Sequence, residues 1–385
     1  MPRKILLVPF ALGLIVIGFG ISGTGPVVNA IARNFAVSPD IVGRVFFFQG
    51  LGYFLSILAG GFLGDMLRQA HILRLGLFIA MIGFSGVAFL PSFTPVVALF
   101  LVAGIGLGFL DCMINPAATA IFTKNPGTVL NLIHAFFGLG SMLAPWIYTA
   151  LIRTDLNWQD YYKVVALFTF VTFIVFLPSF IPRNIHNNRF RDILTVFRKK
   201  AFWFMGATMI FYSAGVTTLN GWMVTHLVLR GWAETTAALF LSNFWLGLFI
   251  GRFSLSRLSD KIGHLNMIRL NSLGGILFTA LAVFLPPGNL SMPVLLFIAG
   301  FMLSTAIPTT IAYAVVNYPG TTSTASGWVL FNNGLGIIIF PWLGGIIGSM
   351  SGFNVTLGLV PLYLFIMFIF QQLLAGEITR RTLGT

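Results

Sequence analysis

Asp111 is the acidic residue whose position most invites chemistry. The chain has only nine Asp and Glu residues, and Asp111 lies deep within the apolar segment 95–122. If that segment crosses a bilayer, a carboxylate near its centre costs about 2.5–3.5 kcal/mol on insertion scales, so the side chain should face a cavity or a partner. There it could exchange a proton, bind a substrate, make a structural hydrogen bond or hold an ion.

Polar residues close to Asp111 would extend this site. Asn115 follows four residues later and so shares its helical face, and Pro116 would loosen the backbone pairing there. The next apolar segment contains Asn131 and His134. Because imidazole titrates near neutral pH, His134 could exchange a proton or a hydrogen bond with Asp111. A buried histidine with satisfied hydrogen bonds is an equally good interpretation. We predict Asp111 and His134 as the proton-coupling residues.

Carboxamides and one tryptophan within the apolar segments are candidates for substrate binding. Neutral polar groups beside an aromatic ring suit hydroxyl-rich ligands, which they hold by hydrogen bonds and stacking. Each of them could equally serve packing or bonding between helices, and Tyr53 and His226 are weaker candidates of the same kind. The predicted substrate-binding residues are Gln49, Asn115, Asn131, Asn220, Trp222, Asn332 and Asn333.

The composition places these residues in a membrane. Hydrophobic residues make up 57% of the 385-residue chain and charged residues only 8%, whereas a soluble domain has about 25% charged residues. The apolar segments are long and do not alternate, so helices rather than barrel strands are expected. We predict an all-α membrane protein with spans near 5–31, 41–64, 74–91, 95–122, 129–152, 162–182, 201–228, 235–258, 267–285, 292–315, 324–350 and 354–374.

Basic residues give the expected orientation. Most of the 22 Lys and Arg residues, Arg252 among them, fall in segments that are cytoplasmic if both termini are inside. We expect a multi-pass protein of the cell inner (plasma) membrane with both termini cytoplasmic. The basic segment 183–200 divides the chain into predicted six-helix bundles at 1–182 and 201–385. It suits an amphipathic helix on the anionic leaflet, with Phe190, Ile193, Leu194 and Phe197 on one face, or a solvated linker.

The two halves repeat each other. GLGSMLAPW at 138–146 recurs as GLGIIIFPW at 334–342, and Gly52 and Asp65 match Gly247 and Asp260. Asn115-Pro116 stands opposite Ile307-Pro308, and Asp111 has only Leu303 as its counterpart. Two parallel six-helix repeats with a substrate site between them form a known transporter architecture. An unmatched acid in a symmetric scaffold points to function.

Two loops carry a resemblance to the major facilitator superfamily. GGFLGDMLRQAHILR at 60–74 and SRLSDKIGHLNMIR at 256–269 lie between spans 2 and 3 and between spans 8 and 9. They are similar to the superfamily signature, in which Gly, Asp and basic residues follow one another; Met66 and Arg68 depart from it. Acids at helix ends can pair with basic groups and helix termini when a gate closes. The predicted gating residues are Asp65, Arg68, Arg257 and Asp260, or these are ordinary solvated loop residues.

LDCMINP at 110–116 and LNLIHAFFGLG at 130–140 resemble the fourth and fifth helices of the fucose:proton symporter family. Animal sodium-dependent glucose transporters are relatives with a stretch similar to HAFFGLG. The resemblance implies that Asp111 is the family's fourth-helix acid and that His134 stands in place of its fifth-helix glutamine. Two further acids are missing: the family's first-helix aspartate falls near Gly25, and Val216 occupies the place where sugar-transporting relatives often carry a glutamate in helix seven. The resemblance supports the fold and a polar substrate better than it supports fucose.

Several function classes lack their sequence features. The chain has no P-loop of the form GxxxxGK[ST], so it contains no ATP-driven motor. Five scattered histidines and one buried acid do not form an enzyme site or a metal site, and no filter loop of a channel is recognisable. We therefore expect a transporter rather than an enzyme, with no cofactor and no bound metal.

Two transport functions remain open. The first is proton-coupled uptake of a small, polar, sugar-like solute by alternating access. The second is proton-coupled export of amphipathic or drug-like compounds. An organic anion is a variant of either, because Arg44 and Arg252 could attract negative charge. The expected partners are the solute, a proton or a sodium ion, and the lipid bilayer; nucleic acid is not expected, and we predict a monomer.

Overall fold

The computed structural model describes residues 7–122, 126–178, 197–285, 291–317 and 322–383. In these ranges the chain forms helices joined by short turns. The helices are α1 (Leu7–Ser22), α2 (Thr24–Phe35), α3 (Pro39–Val42), α4 (Arg44–Met66), α5 (Gln69–Phe89), α6 (Phe93–Ile121), α7 (Pro126–Ile152), α8 (Trp158–Phe176), α9 (Lys200–Leu229), α10 (Glu234–Ile262), α11 (His264–Phe284), α12 (Ser291–Leu303), α13 (Ala306–Asn317), α14 (Thr322–Ser351) and α15 (Phe353–Leu383).

The helices have the length and hydropathy of membrane spans. Within the described ranges, 11 are long and apolar enough to cross a bilayer, and the bent pair of α1 and α2 brings the number to 12. The predicted all-α, multi-pass architecture is therefore confirmed. Large apolar side chains on the outside, such as Phe89, Leu167 and Phe284, are exposed, as expected where lipid replaces water as solvent.

Two spans predicted as continuous are broken. The first bends by 43° between α1 and α2, where Pro26 lacks the N–H that would pair with the carbonyl of Ser22. The Tyr161 hydroxyl also donates to the carbonyl oxygen of Phe19, at 2.8 Å, just before the bend. The tenth predicted span breaks between Leu303 and Ala306. In both places a proline follows the break and removes a helical hydrogen bond.

Glycines that match in sequence also make matching contacts. Gly52 on α4 packs against the backbone of α6 at Leu101, and Gly247 on α10 packs against the backbone of α12 at Phe297. Gly140 on α7 meets α1 at Ile15, and Gly336 on α14 meets α9 at Ile210. A side chain at any of these four positions would collide with backbone atoms of the neighbouring helix. The sequence repeat therefore corresponds to equivalent helix pairs in the first and last six spans.

The helix bundle has two ends, which we name by their residues. The linker face holds the turn at 67–68, residues 177–178 and 197–199, and the turn at Gly263. The Glu234 face holds the turns at 36–38, 90–92, 153–157 and 230–233. The domain bounds 1–182 and 201–385 stay a prediction, because 179–196 lie outside the described residues. So do Phe190, Ile193 and Leu194 of the predicted amphipathic segment.

The two halves are joined by polar contacts on the Glu234 face. Glu234 on α10 accepts a hydrogen bond from Arg33 on α2, at 2.6 Å, and another from the Tyr148 hydroxyl on α7, at 2.8 Å. Thr225 on α9 donates to Asn29 on α2, at 2.7 Å. These bonds link two helices of the first half, α2 and α7, to α9 and α10 of the second half. The Glu234 face is therefore closed in this conformation.

Candidate substrate and proton site

A cavity lies between the two halves and contains Asp111. Its wall combines Leu14, Tyr53 and Asp111 from the first half with residues of the second half that include Val216, Arg252 and Asn333. Its void is about 130 Å³ when traced by the centre of a water-sized sphere. One water needs roughly 10–15 Å³ by the same measure. The cavity therefore has room for a small solute.

Asp111 is bonded to a tyrosine of the neighbouring helix. The Tyr53 hydroxyl on α4 donates to Oδ2 of Asp111 on α6, and α4 and α6 approach closely because Gly104 and Gly108 of α6 pack on the backbone of α4. Tyr53 is 5% exposed, so its hydroxyl is held in place by packing. A phenol donor stabilises a carboxylate in an apolar wall without supplying a charge. The pair can therefore hold Asp111 in a fixed orientation toward the cavity.

His134 contacts Asn115 instead of Asp111. Its Nε2 lies 2.6 Å from Oδ1 of Asn115, and both side chains line the cavity. Among the described contacts, His134 makes no direct hydrogen bond to Asp111, which was one of the two interpretations left open. Asn115 lies one helical turn after Asp111 and takes the hydrogen bond of the His134 ring, so the proton-coupling role of His134 stays a prediction.

Arg252 is a second charge in the cavity. The charge count assigned it to a cytoplasmic segment, and that assignment is wrong: α10 continues to Ile262, and Arg252 lines the cavity. Its Nη1 donates to the carbonyl oxygen of His134 on α7, and the guanidinium lies 5.5 Å from the centre of the Phe137 ring. The cavity therefore contains a basic side chain as well as the acidic side chain of Asp111.

The break between α12 and α13 supplies a second acceptor for Arg252. Nε of Arg252 lies 3.4 Å from the carbonyl oxygen of Ser304. Pro308 stands four residues after Ser304 and has no N–H, so that carbonyl lacks its usual helical partner. The guanidinium thus joins α7 of the first half to the broken span of the second half. Backbone carbonyls freed inside a membrane are tolerated where they line a cavity.

Two predicted carboxamides of the second half face space between the halves. Asn333 lines the main cavity, and its Oδ1 accepts from the Ser213 hydroxyl. Asn220 lines a smaller adjoining pocket together with Gln49, and its Oδ1 accepts from Nε1 of Trp245, at 3.0 Å. Gln49 is tied within the first half, since its Nε2 donates to the carbonyl oxygen of Gly20, at 2.9 Å.

A family comparison decides the class of protein. The model of the Major Facilitator Superfamily matches residues 10–341, which is most of the chain. The chain belongs to the Major Facilitator Superfamily. Members of this superfamily are secondary transporters, so the expectation of a transporter rather than an enzyme is confirmed. The resemblance inferred from the two loop motifs is confirmed with it.

Curated relatives and a solved structure narrow the branch. A Brucella abortus (strain 9-941) protein described as a glucose/galactose transporter is 26% identical over 351 residues, 84% of this chain and 83% of the relative. A Helicobacter pylori (strain J99) protein with the provisional description of a glucose/galactose transporter is 26% identical over 274 residues; the match spans 66% of each chain. A crystal structure of the E. coli fucose:proton symporter FucP has a TM-score of 0.68 at 16% identity, covering 97% of this chain and 99% of that one, a likeness of fold.

The major facilitator fold explains one departure from the fucose symporter family. A Cβ atom at Gly25 would meet the backbone carbonyl of Asn220 on α9. An aspartate therefore has no room at this position while the Glu234 face is closed. Val216, at the place of the second missing acid, lines the main cavity. Neither position supplies an acid to the cavity, which leaves Asp111 as its carboxylate among the described residues.

Other predicted binding residues of this major facilitator protein do not line either of the two cavities described above. Trp222 is 1% exposed, and its Nε1 donates to the carbonyl oxygen of Pro341, at 2.7 Å, so it packs between helices. Nδ2 of Asn332 donates to the carbonyl oxygen of Trp328, at 2.7 Å, on its own helix. His226 is 1% exposed on α9. In this conformation these three side chains pack inside the protein. Their assignment to the binding site could not be checked from the sequence, because the sequence does not show how each helix is rotated about its axis.

The remaining predicted residues fall at the linker face. The side chains of Asn131, Asp65, Arg257 and Asp260 lie outside the described part of the structure, although their backbones belong to α7, α4 and α10. Arg68 is exposed in the turn after α4. The gating roles of these residues stay predictions. Among the described residues, no group of three His, Cys, Asp or Glu side chains could hold a metal ion.

Proposed function

We propose that this major facilitator protein takes up a small, polar, sugar-like solute together with a proton by alternating access. The observation that carries the proposal is Asp111, held by Tyr53 on the wall of a cavity between the halves. The names of the Brucella and Helicobacter relatives support a sugar-like solute. We place the linker face on the cytoplasmic side because of the excess of Lys and Arg in the segments there. Both termini then also lie on the cytoplasmic side of the plasma membrane.

Protonation of Asp111 can drive the conformational change. A charged carboxylate in a cavity closed to water is costly, and a proton removes that cost. Protonation therefore favours the conformation in which Asp111 is occluded. The size of the shift is set by the difference in proton affinity between the occluded and the open conformation. With the linker face cytoplasmic, the closed Glu234 face separates the cavity from the outside of the cell in this conformation.

The cavity wall also supports the competing function of export. Many of its residues are apolar, among them Ile17, Ile21, Leu248 and Ile311, and such a surface suits amphipathic compounds. A sugar ring, however, also has an apolar face, which can stack on an aromatic side chain. Phe137 and Trp245 line the cavity together with Asn115 and Asn333. The polar groups interspersed with aromatic rings favour the sugar-like solute.

Transport in proteoliposomes tests the function. Purified protein is reconstituted, and uptake of radiolabelled sugars is measured with an inward proton gradient, an inward sodium gradient, or neither. We expect accumulation with the proton gradient alone. Accumulation with only the sodium gradient would refute proton coupling and identify sodium as the coupling ion. Expulsion of lipophilic cations without sugar uptake would refute the uptake function and support export.

Asp111→Asn is the decisive variant in this assay. It keeps the size and the hydrogen-bond acceptor for Tyr53 but cannot exchange a proton. We expect concentrative uptake to be lost while exchange of labelled for unlabelled solute persists. Asp155→Asn is the matched control, because Asp155 is exposed in a turn on the Glu234 face. Undiminished uphill uptake by Asp111→Asn would refute the coupling role.

A further inference from the structure

The main cavity contains one acid and one base that come from different halves. Asp111 lies on α6 of the first half and Arg252 on α10 of the second, and the other titratable side chains in its wall are Tyr53, His134 and Tyr212. With the histidine neutral, Asp111 and Arg252 leave the empty cavity with no net charge. This balance holds only while Asp111 is ionised.

A proton upsets the balance. When Asp111 is protonated for transport, Arg252 keeps its charge because a guanidinium does not lose its proton in proteins. A neutral sugar would then be enclosed with a net charge of +1 in an apolar cavity, and enclosing an unpaired charge is strongly disfavoured. A solute with one negative charge would instead restore neutrality in the loaded cavity.

We propose that the solute is a hydroxyl-rich monocarboxylate, an acidic sugar, whose carboxylate binds Arg252 while a proton binds Asp111. This inference rests on the proposed proton-coupled uptake and names its substrate class. The empty form (Asp111 ionised) and the fully loaded form (proton and anion bound) are both neutral. The forms with only the proton or only the anion carry a net charge, so they close poorly. Because only the neutral forms close well, uptake of the anion is tightly coupled to uptake of the proton. The proton and the anion together carry no net charge across the membrane.

The surroundings of Arg252 fit this role. Nε and Nη1 are held by carbonyl oxygens of Ser304 and His134, which fixes the plane of the guanidinium. Among the described residues no hydrogen bond engages Nη2, which remains available to a ligand. Arginine binds carboxylates through directed, charge-assisted bonds. Asn115 and Asn333 line the same cavity and offer amide groups to hydroxyls.

Electrical measurements on the unmodified protein test the proposal without any variant. Proteoliposomes receive either an inward pH gradient at zero membrane potential or a membrane potential, negative inside, at equal pH. The probes are glucuronate and gluconate, with glucose and galactose as neutral counterparts and acetate as a carboxylate without hydroxyls. We expect the pH gradient to drive glucuronate or gluconate uptake with no current, and the membrane potential to leave that uptake unchanged.

The outcomes separate this inference from the proposed function. Proton-driven glucose uptake that produces an inward current would overturn the acidic substrate and leave proton-coupled sugar uptake intact. Sugar uptake that neither gradient affects would overturn both. Acetate uptake that exceeds the passive uptake of protein-free liposomes and equals that of glucuronate would overturn the requirement for hydroxyl groups.

Arg252→Gln and Arg252→Lys test the residue itself. We expect glutamine to weaken glucuronate binding by at least about 30-fold, the low end for truncating one partner of a buried charge pair, while any weak glucose binding is spared. Lysine should restore part of the affinity, since it keeps the charge and loses the planar geometry. Arg230→Gln is the control, because Arg230 also approaches a backbone carbonyl, that of Leu285, but on the exposed Glu234 face. Equal loss of glucuronate and glucose binding in Arg252→Gln would contradict the assigned role.

Discussion

Replacing Glu234 by Gln should open the Glu234 face. In the structure Glu234 accepts hydrogen bonds from Arg33, at 2.6 Å, and from Tyr148, at 2.8 Å. Both donors belong to the first half and Glu234 to the second, so these bonds exist only while this face is closed. Glutamine keeps one acceptor oxygen but loses the negative charge. The closed conformation should therefore lose stability relative to the open one.

The size of the effect follows from the exposure of each partner. The Arg33 side chain is 62% exposed and that of Glu234 is 17% exposed, so the ion pair contributes only about 0.2–1 kcal/mol. The bond from Tyr148 to a carboxylate contributes about 1.5–3 kcal/mol, part of which the amide oxygen retains. A net loss of about 1–2 kcal/mol corresponds to a shift of the conformational equilibrium by roughly 5- to 30-fold.

Thiol labelling measures this shift. Cys112 is the chain's one cysteine, so Cys112→Ser gives a background without thiols. Thr217 lines the cavity, and Thr217→Cys supplies the thiol to be labelled. A membrane-impermeant maleimide is then added on the Glu234 face. We expect Glu234→Gln to raise its labelling rate by roughly 5- to 30-fold, the shift estimated above.

Asp155→Asn controls for the change in charge. Asp155 lies on the same face, is exposed and has a φ of 60°, which asparagine also tolerates. The labelling rate should stay at the parent value. If Glu234→Gln also labels at the parent rate, the three-residue network does not hold this face closed.

Two further predictions concern packing between helices. Gly25→Ala places a methyl group against the Asn220 carbonyl, so we expect faster labelling at Thr217→Cys. Gly327→Ala meets nothing within 4 Å and should leave labelling unchanged; equal rates in both variants would contradict the close contact. Trp222→Phe leaves the Pro341 carbonyl without its donor and should destabilise the purified protein by about 1–3 kcal/mol, seen as a lower Tm, with solute affinity unchanged. A large loss of solute affinity would contradict this packing role and support Trp222 as a binding residue.

The sequence predicted the spans and their symmetry because both follow from local composition. Long apolar segments must become helices in lipid, and matched glycines must meet matched neighbours where helices touch closely. The position of Asp111 followed from the cost of burying a charge, which directs a carboxylate toward a cavity or partner. These inferences needed no knowledge of how the helices are rotated.

Side-chain direction and tertiary pairing could not be derived in the same way. Trp222 and Asn332 had the right chemistry, but the rotation of α9 directs Trp222 at the backbone of α14, and Asn332 donates to the carbonyl of Trp328 on its own helix. The charge count grouped Arg252 with the cytoplasmic residues, although the predicted span 235–258 contains it. The continuation of α10 to Ile262 and the carbonyl freed by Pro308 keep it inside. Pro308 was the one sequence feature that could have indicated an acceptor there.

The two cavity charges occupy positions where the repeat has apolar residues. Asp111 corresponds to Leu303, and at the offset that relates Gly52 to Gly247 Arg252 corresponds to Ile57. Each half therefore contributes one charge that its counterpart lacks, and the two charges have opposite signs. Because they belong to different halves, a rocking motion must change their separation and hence the energy of ionised Asp111. A symmetric pair of charges within one half would move as a rigid body and would not sense the motion. Under the proposed proton coupling, this asymmetry would let protonation of Asp111 bias the orientation of the two halves.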